Sequence, residues 1–369
     1  MPIERVIALL GACSRWVASC TCRMRNEGDI VTRANRVRRA TFLAGLAVLA
    51  SVGCRHSSRE VVVYTSVDQV FSEPVFRAFE QESGIRVRAV FDTEETKSTG
   101  VLNRLVAEAG SPQADVFWSG DPVRQMALVK RGLVEAYVSP RAEGLPPGLR
   151  ASDGTWAGVA ARARILLVNR ERLGTEAPPR SVSDLADPRW KDRAAIANPL
   201  FGTTTIHVAA LFTAWGEDGA RSFLEALKAN GVKIASSNGE VKRLVATGEV
   251  AFGLTDTDDA HEAQKDGAPV DVVYPDADGL GTLVMPTAVV LLRGGPHPEA
   301  GRKLVDTLLS ADTERRLAES AAHMPLRQGV ATPTGVRSIS EIKAMTVDYG
   351  RVAEEMEKIQ PWLRQWAGL

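Results

Sequence analysis

Residues 60–131 alternate short β-branched runs with stretches whose apolar residues recur at helical spacing. The run Glu60 to Thr65 predicts a buried strand, and Val75, Phe76 and Phe79 place a helix over Pro74 to Ser83 with Gly84 as its stop. Arg86 to Phe91 alternates like a second strand, Val101 to Ala109 reads as a helix, and Ala114 to Trp118 as a third strand. A third helix follows from Val123 to Arg131, ending at Gly132. Strands alternating with helices predict a parallel α/β sheet, whose binding groups gather at the carboxyl ends of its strands.

A second set begins near Arg162. Ile165 to Asn169, Ala194 to Asn198, Val232 to Ser236 and Val250 to Leu254 predict strands, with later ones at Val270 to Tyr274 and Gly281 to Leu292. Helices are expected at His207 to Trp215, Ser222 to Asn230 and Val241 to Thr247, then at Glu299 to Leu309, Asp312 to Ala322 and Ser340 to Trp366.

The front of the chain changes where this body is expected to live. Arg33, Arg36, Arg38 and Arg39 precede the apolar run Phe42 to Ala50, and Ser51-Val52-Gly53-Cys54 follows. A basic stretch, an apolar stretch too short for a comfortable span and a small-residue exit read as an export signal over residues 1–59, with Cys54 as a lipidated anchor. Phe42 falls one place later than in a twin-arginine motif, which favours an ordinary export route. Residues 1–30 put a long segment ahead of the basic region and read as an over-long gene model, with the start near Met24 or Val31.

All four cysteines lie at or before Cys54, so the exported body has no disulfide, thiolate ligand or cysteine nucleophile. The formal charge of zero hides an asymmetry. Residues 1–59 hold ten Lys/Arg and three Asp/Glu, leaving 35 basic and 42 acidic residues beyond them. A modestly acidic export of this kind does not suit nucleic acid.

The predicted strand Val250 to Leu254 empties into Thr255-Asp256-Thr257-Asp258-Asp259. Adjacent carboxylates repel one another and are costly to desolvate together. A cation must compensate them, or water, or helix-end amides. Thr255 or Asp256 as the cap of a helix beginning near Asp258 is one reading, and a ligand-bearing cleft wall is another; both can hold together. His261 stands three residues after Asp258 and reads as a lone histidine. Asp121 is expected to cap the third helix, and Asp68 either to cap the helix near Pro74 or to face a cleft. Tyr64 and Trp118 read as core or wall. No Gly-x-Ser-x-Gly elbow, His-Glu-x-x-His or nucleotide fingerprint occurs.

Val63-Tyr64-Thr65-Ser66, Ala114 to Trp118, Ala161 to Ile165, Asp187 to Lys191, Gly248 to Ala251 and Gly279 to Val284 together resemble the extracellular solute-binding proteins of bacterial ABC importers, specifically the ferric-iron-binding branch. The resemblance covers roughly residues 60–330. It implies an α/β, two-lobed periplasmic-binding-protein fold of type 2, with a ligand cleft between lobes joined by crossing strands. Lobe 1 would take residues 60–160 with a return segment at about 281–335. Lobe 2 would take 161–280, with C-terminal helices over 336–369 packing on it.

The resemblance further implies a non-enzymatic monomer that closes around a small ligand and presents itself to a membrane permease from the periplasm or the outer face of the cytoplasmic membrane. The places of the ferric relatives' histidine, glutamate and paired tyrosines fall on Asp68, Gly120, Asp258 and Asp259. Asp68, Asp258 and Asp259 become the candidate metal ligands for Fe³⁺ carried with phosphate or carbonate. The relatives' anion loop falls on Gly202, Thr203 and Thr204, with Asn238 beside it. Arg162 and Arg164 leave one strand on the same face, and guanidinium suits a bidentate oxyanion. Ser66 and Asp256 complete the candidate binding set. A zwitterionic solute such as an aminoalkyl phosphonate is the alternative cargo; an exported acid/base hydrolase or a sensor's partner are the alternatives from other classes.

Overall fold

The β-branched run that opens the body forms strand β1 (Glu60–Thr65), buried along all but its first residue. The structure is a computed structural model and describes residues 60–92 and 99–368; the export signal, the cysteines and the expected anchor at Cys54 lie outside the described residues. After β1 come α1 (Gln69–Ser83), β2 (Arg86–Phe91), α2 (Thr99–Ala107), β3 (Val116–Ser119), α3 (Val123–Lys130) and β4 (Val134–Glu135). The middle holds β5 (Ala157–Asn169), α4 (Arg170–Leu173), β6 (Ala194–Ala197), α5 (Gly202–Ala229), β7 (Lys233–Ala235), α6 (Asn238–Ala246), β8 (Phe252–Asp256), α7 (Thr257–Lys265) and β9 (Val270–Val273). The chain ends with β10 (Val284–Leu292), α8 (Pro298–Leu308), α9 (Ala311–Ala321) and α10 (Tyr349–Trp366).

One continuous sheet runs β2-β1-β3-β10-β5-β8-β6-β7, with β4 beside β10 and β9 beside β5. Its two wings are parallel: β1 pairs with β2 and β3 in one, and β6 with β7 and β8 in the other. The centre is not. Strand β10 lies antiparallel to both β3 and β5, and β5 antiparallel to β8. The purely parallel expectation is thus corrected to a mixed sheet whose long strands β5 and β10 cross from one wing to the other.

Alternation along each strand explains the layers. Val61, Val63, Val116 and Trp118 enter one apolar cluster, while Val62, Tyr64 and Phe117 enter another on the opposite face. A sheet covered on both faces needs such near-continuous apolar strands. Tyr64 and Trp118 are core, buried to 1% and 0% exposure, and not walls of an open cleft. A third cluster joins Leu166, Trp190, Phe212, Met285, Leu363 and Trp366, and α10 packs against both α5 and α3.

Three boundaries differ from expectation for visible reasons. Helix α1 begins at Gln69 and tolerates Pro74 in its interior. The two helices expected at 207–230 are one span, α5, broken at Gly216, whose φ of 76° is open to glycine. The last helix starts at Tyr349 and not at Ser340, because Ala344 is drawn into a bridge with Thr282 and Asp348 accepts the first-turn amide of Arg351 at 3.1 Å. At that bridge Gly281 has φ +87°, and a Cβ there would meet the Lys343 carbonyl oxygen at 2.6 Å. Among the described residues no helix is long and apolar enough to cross a membrane.

Candidate functional site

Strand β5 carries the centre of the site. Of its thirteen residues only Arg162 is less than fully buried. Residues two apart share a face of a strand, so Arg162 and Arg164 point the same way. Register then sets the partner of Arg164: it lies directly opposite Asp256, the last residue of β8. Arg164 Nη1 donates to Asp256 Oδ1 at 2.8 Å and to Thr203 Oγ1 at 3.0 Å, and Nη2 to Thr204 Oγ1 at 3.1 Å. Asn238 Oδ1 accepts from Arg164 at 3.2 Å, while Asn238 Nδ2 donates to Asp256 Oδ2 at 3.0 Å. Thr203 Oγ1 donates to the same Oδ2 at 2.9 Å. Both ionised groups are buried, so these bonds offset a desolvation cost of several kcal/mol per ion.

Asp256 therefore does not cap α7, although it immediately precedes Thr257. Its carboxylate is committed to Arg164, and the cap reading is corrected on that ground. The next two acids are held more loosely. Asp258 Oδ2 accepts from Arg162 Nη1 at 3.3 Å, while its Oδ1 is buried without a partner among the described residues. Asp259 Oδ2 accepts from Thr255 Oγ1 at 2.6 Å. Carboxylate oxygens of Asp256, Asp258 and Asp259 lie within 4.8 Å of one another.

Charge follows geometry. Burial works against ionised Asp256, but Arg164 and Arg162 outweigh it and hold its carboxyl below the usual range. Burial raises Asp258, and Arg162 only partly counters it. Burial, then Asp258 and Asp256, pushes Asp259 up to about 7. Two arginines face three carboxylates, Lys242 only partly offsets the charge on Asp259, and the surplus falls there.

Residues 111–351 match the family model described as bacterial extracellular solute-binding protein. The chain belongs to that family. Bacterial extracellular solute-binding proteins are the binding components of ABC importers and work with a membrane permease, so the chain's task is capture and delivery without catalysis. It is 27% identical over 304 residues to iron uptake protein A1 of Synechocystis, covering 80% of this chain and 83% of that one. It is 28% identical over 335 residues to a candidate 2-aminoethylphosphonate-binding periplasmic protein of Salmonella typhimurium, covering 88% and 92%. Iron-bound HitA from Pseudomonas aeruginosa superposes with a TM-score of 0.73 at 22% identity, over 82% of this chain and 99% of that one. The fold is that of the type 2 periplasmic binding proteins.

In this solute-binding protein Arg162 and Arg164 lie mid-strand in β5, and the other candidate residues follow the carboxyl ends of strands from both wings. Ser66 follows β1 and accepts the Gly120 amide at 3.0 Å, pinning the loop after β3. Asp68 is the residue before α1; its side chain does not cap that helix, and its charge favours ionised Arg162. It lies outside the group of close carboxylates, which contains Asp256 in its place. Gly202 opens α5 with φ +61°, and Thr203 and Thr204 turn their hydroxyls to Arg164. Asp121 caps α3, accepting the Arg124 amide at 3.1 Å. His261 is not among the close carboxylates' neighbours within ligand distance.

His323 escaped sequence reasoning. Ala161 and Met324 form an antiparallel bridge, which sets His323 across from Arg162. Its ring packs at a tilt against Phe71, and its Nδ1 is buried without a partner among the described residues. Burial, then Arg162, holds it neutral with a pKa of about 3. Nothing local in the sequence marks it; only the register does.

Proposed function

We propose that the cargo is a hard cation, ferric iron alone or with an accompanying oxyanion, captured between the wings and released to the permease. The observation that carries this is the trio Asp256, Asp258 and Asp259, crowded within 4.8 Å and undercompensated by arginine. Asp256 is committed to Arg164, so Asp258 and Asp259 would supply the cargo's oxygen ligands, with Asp68 approaching from the other wing. Carboxylate oxygen suits hard cations. The naming of relatives for ferric iron and iron uptake supports the same cargo. The lobe boundaries expected from sequence, the return segment and the lipid anchor at Cys54 belong to this proposal.

A zwitterionic solute is the second reading. Among the described residues, Arg162 Nε is a buried donor without an acceptor and Asp258 Oδ1 a buried acceptor without a donor. An aminoalkyl phosphonate carries one group for each. Calorimetric titration of the exported body with ferric citrate and with 2-aminoethylphosphonate tests the choice. Saturation by iron, lost in Asp258→Asn/Asp259→Asn, supports the cation; saturation by the phosphonate alone overturns it.

A further inference from the structure

Two arginines leave one face of β5, and the structure gives them unequal surroundings. Arg164 is fully buried, and its terminal nitrogens reach Asp256, Thr203, Thr204 and Asn238. Arg162 keeps 18% of its side chain exposed, and its closest carboxylate contact is 3.3 Å, longer than the 2.8 Å of the other pair. Charge-assisted hydrogen bonds run at about 2.7–2.9 Å, so the Arg162–Asp258 contact is the looser of the two. Its Nε is buried without an acceptor among the described residues. Its second terminal nitrogen, Nη2, donates to the Gly120 carbonyl oxygen at 3.1 Å.

Gly120 follows β3 in one wing, and Asp258 follows β8 in the other, so a single guanidinium ties the wings together. The Gly120 loop is fixed from behind by Ser66. A Cβ at Gly120 would already lie 3.8 Å from Arg162 Nη2, so a longer side chain there would compete for the same space. Asp256 Oδ2 is a further 3.9 Å contact on the acidic side. The guanidinium thus stands beside both Asp258 and Asp256.

We propose that Arg162 is a built-in counter-cation: it draws the two wings together in the absence of cargo, and a cationic cargo must displace it from Asp258 to bind. This rests on the cation reading of the site, which it deepens by naming the residue that sets the cargo's threshold. Arg164 is the structural arginine and stays. Arg162 is the exchangeable one, loosely bonded enough to leave. A monovalent guanidinium yields to a di- or trivalent cation because Coulomb attraction grows with the cation's charge at similar distance.

The test compares Arg162→Met, which keeps length and loses charge, with Arg162→Lys, which keeps charge and loses the two-sided bonding. Terbium(III), free of chelating anions, is the probe, read by its sensitised luminescence at low ionic strength. Arg162→Met is expected to bind terbium at least about tenfold more tightly than the wild type, and Arg162→Lys to stay near wild type. Small-angle scattering without metal is expected to show a larger radius of gyration for Arg162→Met than for wild type. Equal or weaker terbium binding by Arg162→Met overturns the displacement, because removing the guanidinium would then free no carboxylate for the cation. An unchanged scattering profile overturns the tie between wings. If no form binds terbium, the cation reading of the site fails, and the scattering comparison alone still decides the tie.

Discussion

Asp259 gives the sharpest perturbation, because its surplus charge has opposite consequences for stability and for cargo. Its folded pKa of about 7 stands well above the ordinary 3.8. A carboxyl raised on folding destabilises the folded state wherever it is ionised in both states, and the cost fades as pH falls through the folded pKa. A change from 3.8 to about 7 corresponds to at most about 4 kcal/mol at pH 8. The side chain is only partly buried, so about 1–3 kcal/mol is the realistic range. Asp259→Asn removes the charge and keeps an oxygen to accept the Thr255 hydroxyl. The variant should therefore be about 1–3 kcal/mol more stable than the wild type at pH 8, with the gap shrinking toward pH 5.

The comparison must be a difference, because other groups titrate in that window. His207 and His323 are held neutral by burial and by their arginine neighbours, with pKa values of about 3. Each is depressed on folding, so each removes stability as pH drops below about 6.5. Both act alike in wild type and variant and cancel in the difference. Urea denaturation at pH 8, 6.5 and 5 in the presence of a chelator measures it. A variant that is less stable than wild type at pH 8, or a gap that does not change with pH, would refute the charge-surplus reasoning.

The remaining expectations are simpler. Cargo cation affinity should fall as pH drops from 8 to 6, because Asp259 takes up a proton through about 7; isothermal titration across that range checks it. Arg164→Met should cost about 3–5 kcal/mol by urea denaturation, since it leaves Asp256 buried without its close arginine partner, and adding Asp256→Asn should recover part of the loss. Gly281→Ala should cost about 2 kcal/mol or more in the same assay, because it forces a side chain onto φ +87° against the Lys343 carbonyl.

The sequence showed the wings more plainly than the centre. Val61, Val63 and Phe79 announce βα units through their spacing, and the type 2 fold that the family resemblance implied is the one found. The antiparallel placement of β10 between β3 and β5 was hidden, because a period of two carries no direction. The acid run was visible as a problem of charge, and Arg162 and Arg164 were visible as neighbours on one face. Their different surroundings were not. Arg164 meets partners 39, 74 and 92 residues away, and no local pattern announces such a meeting. His323 likewise faces Arg162 only through a bridge between distant segments.

The central claim is that Asp258 and Asp259 hold a hard cation. Native mass spectrometry with elemental analysis, on protein purified without added ligand, tests it most directly. Close to one iron per chain, lost in Asp258→Ala/Asp259→Ala while the fold is retained, is the predicted result. An organic mass bound with no metal, persisting in the double variant, would contradict it.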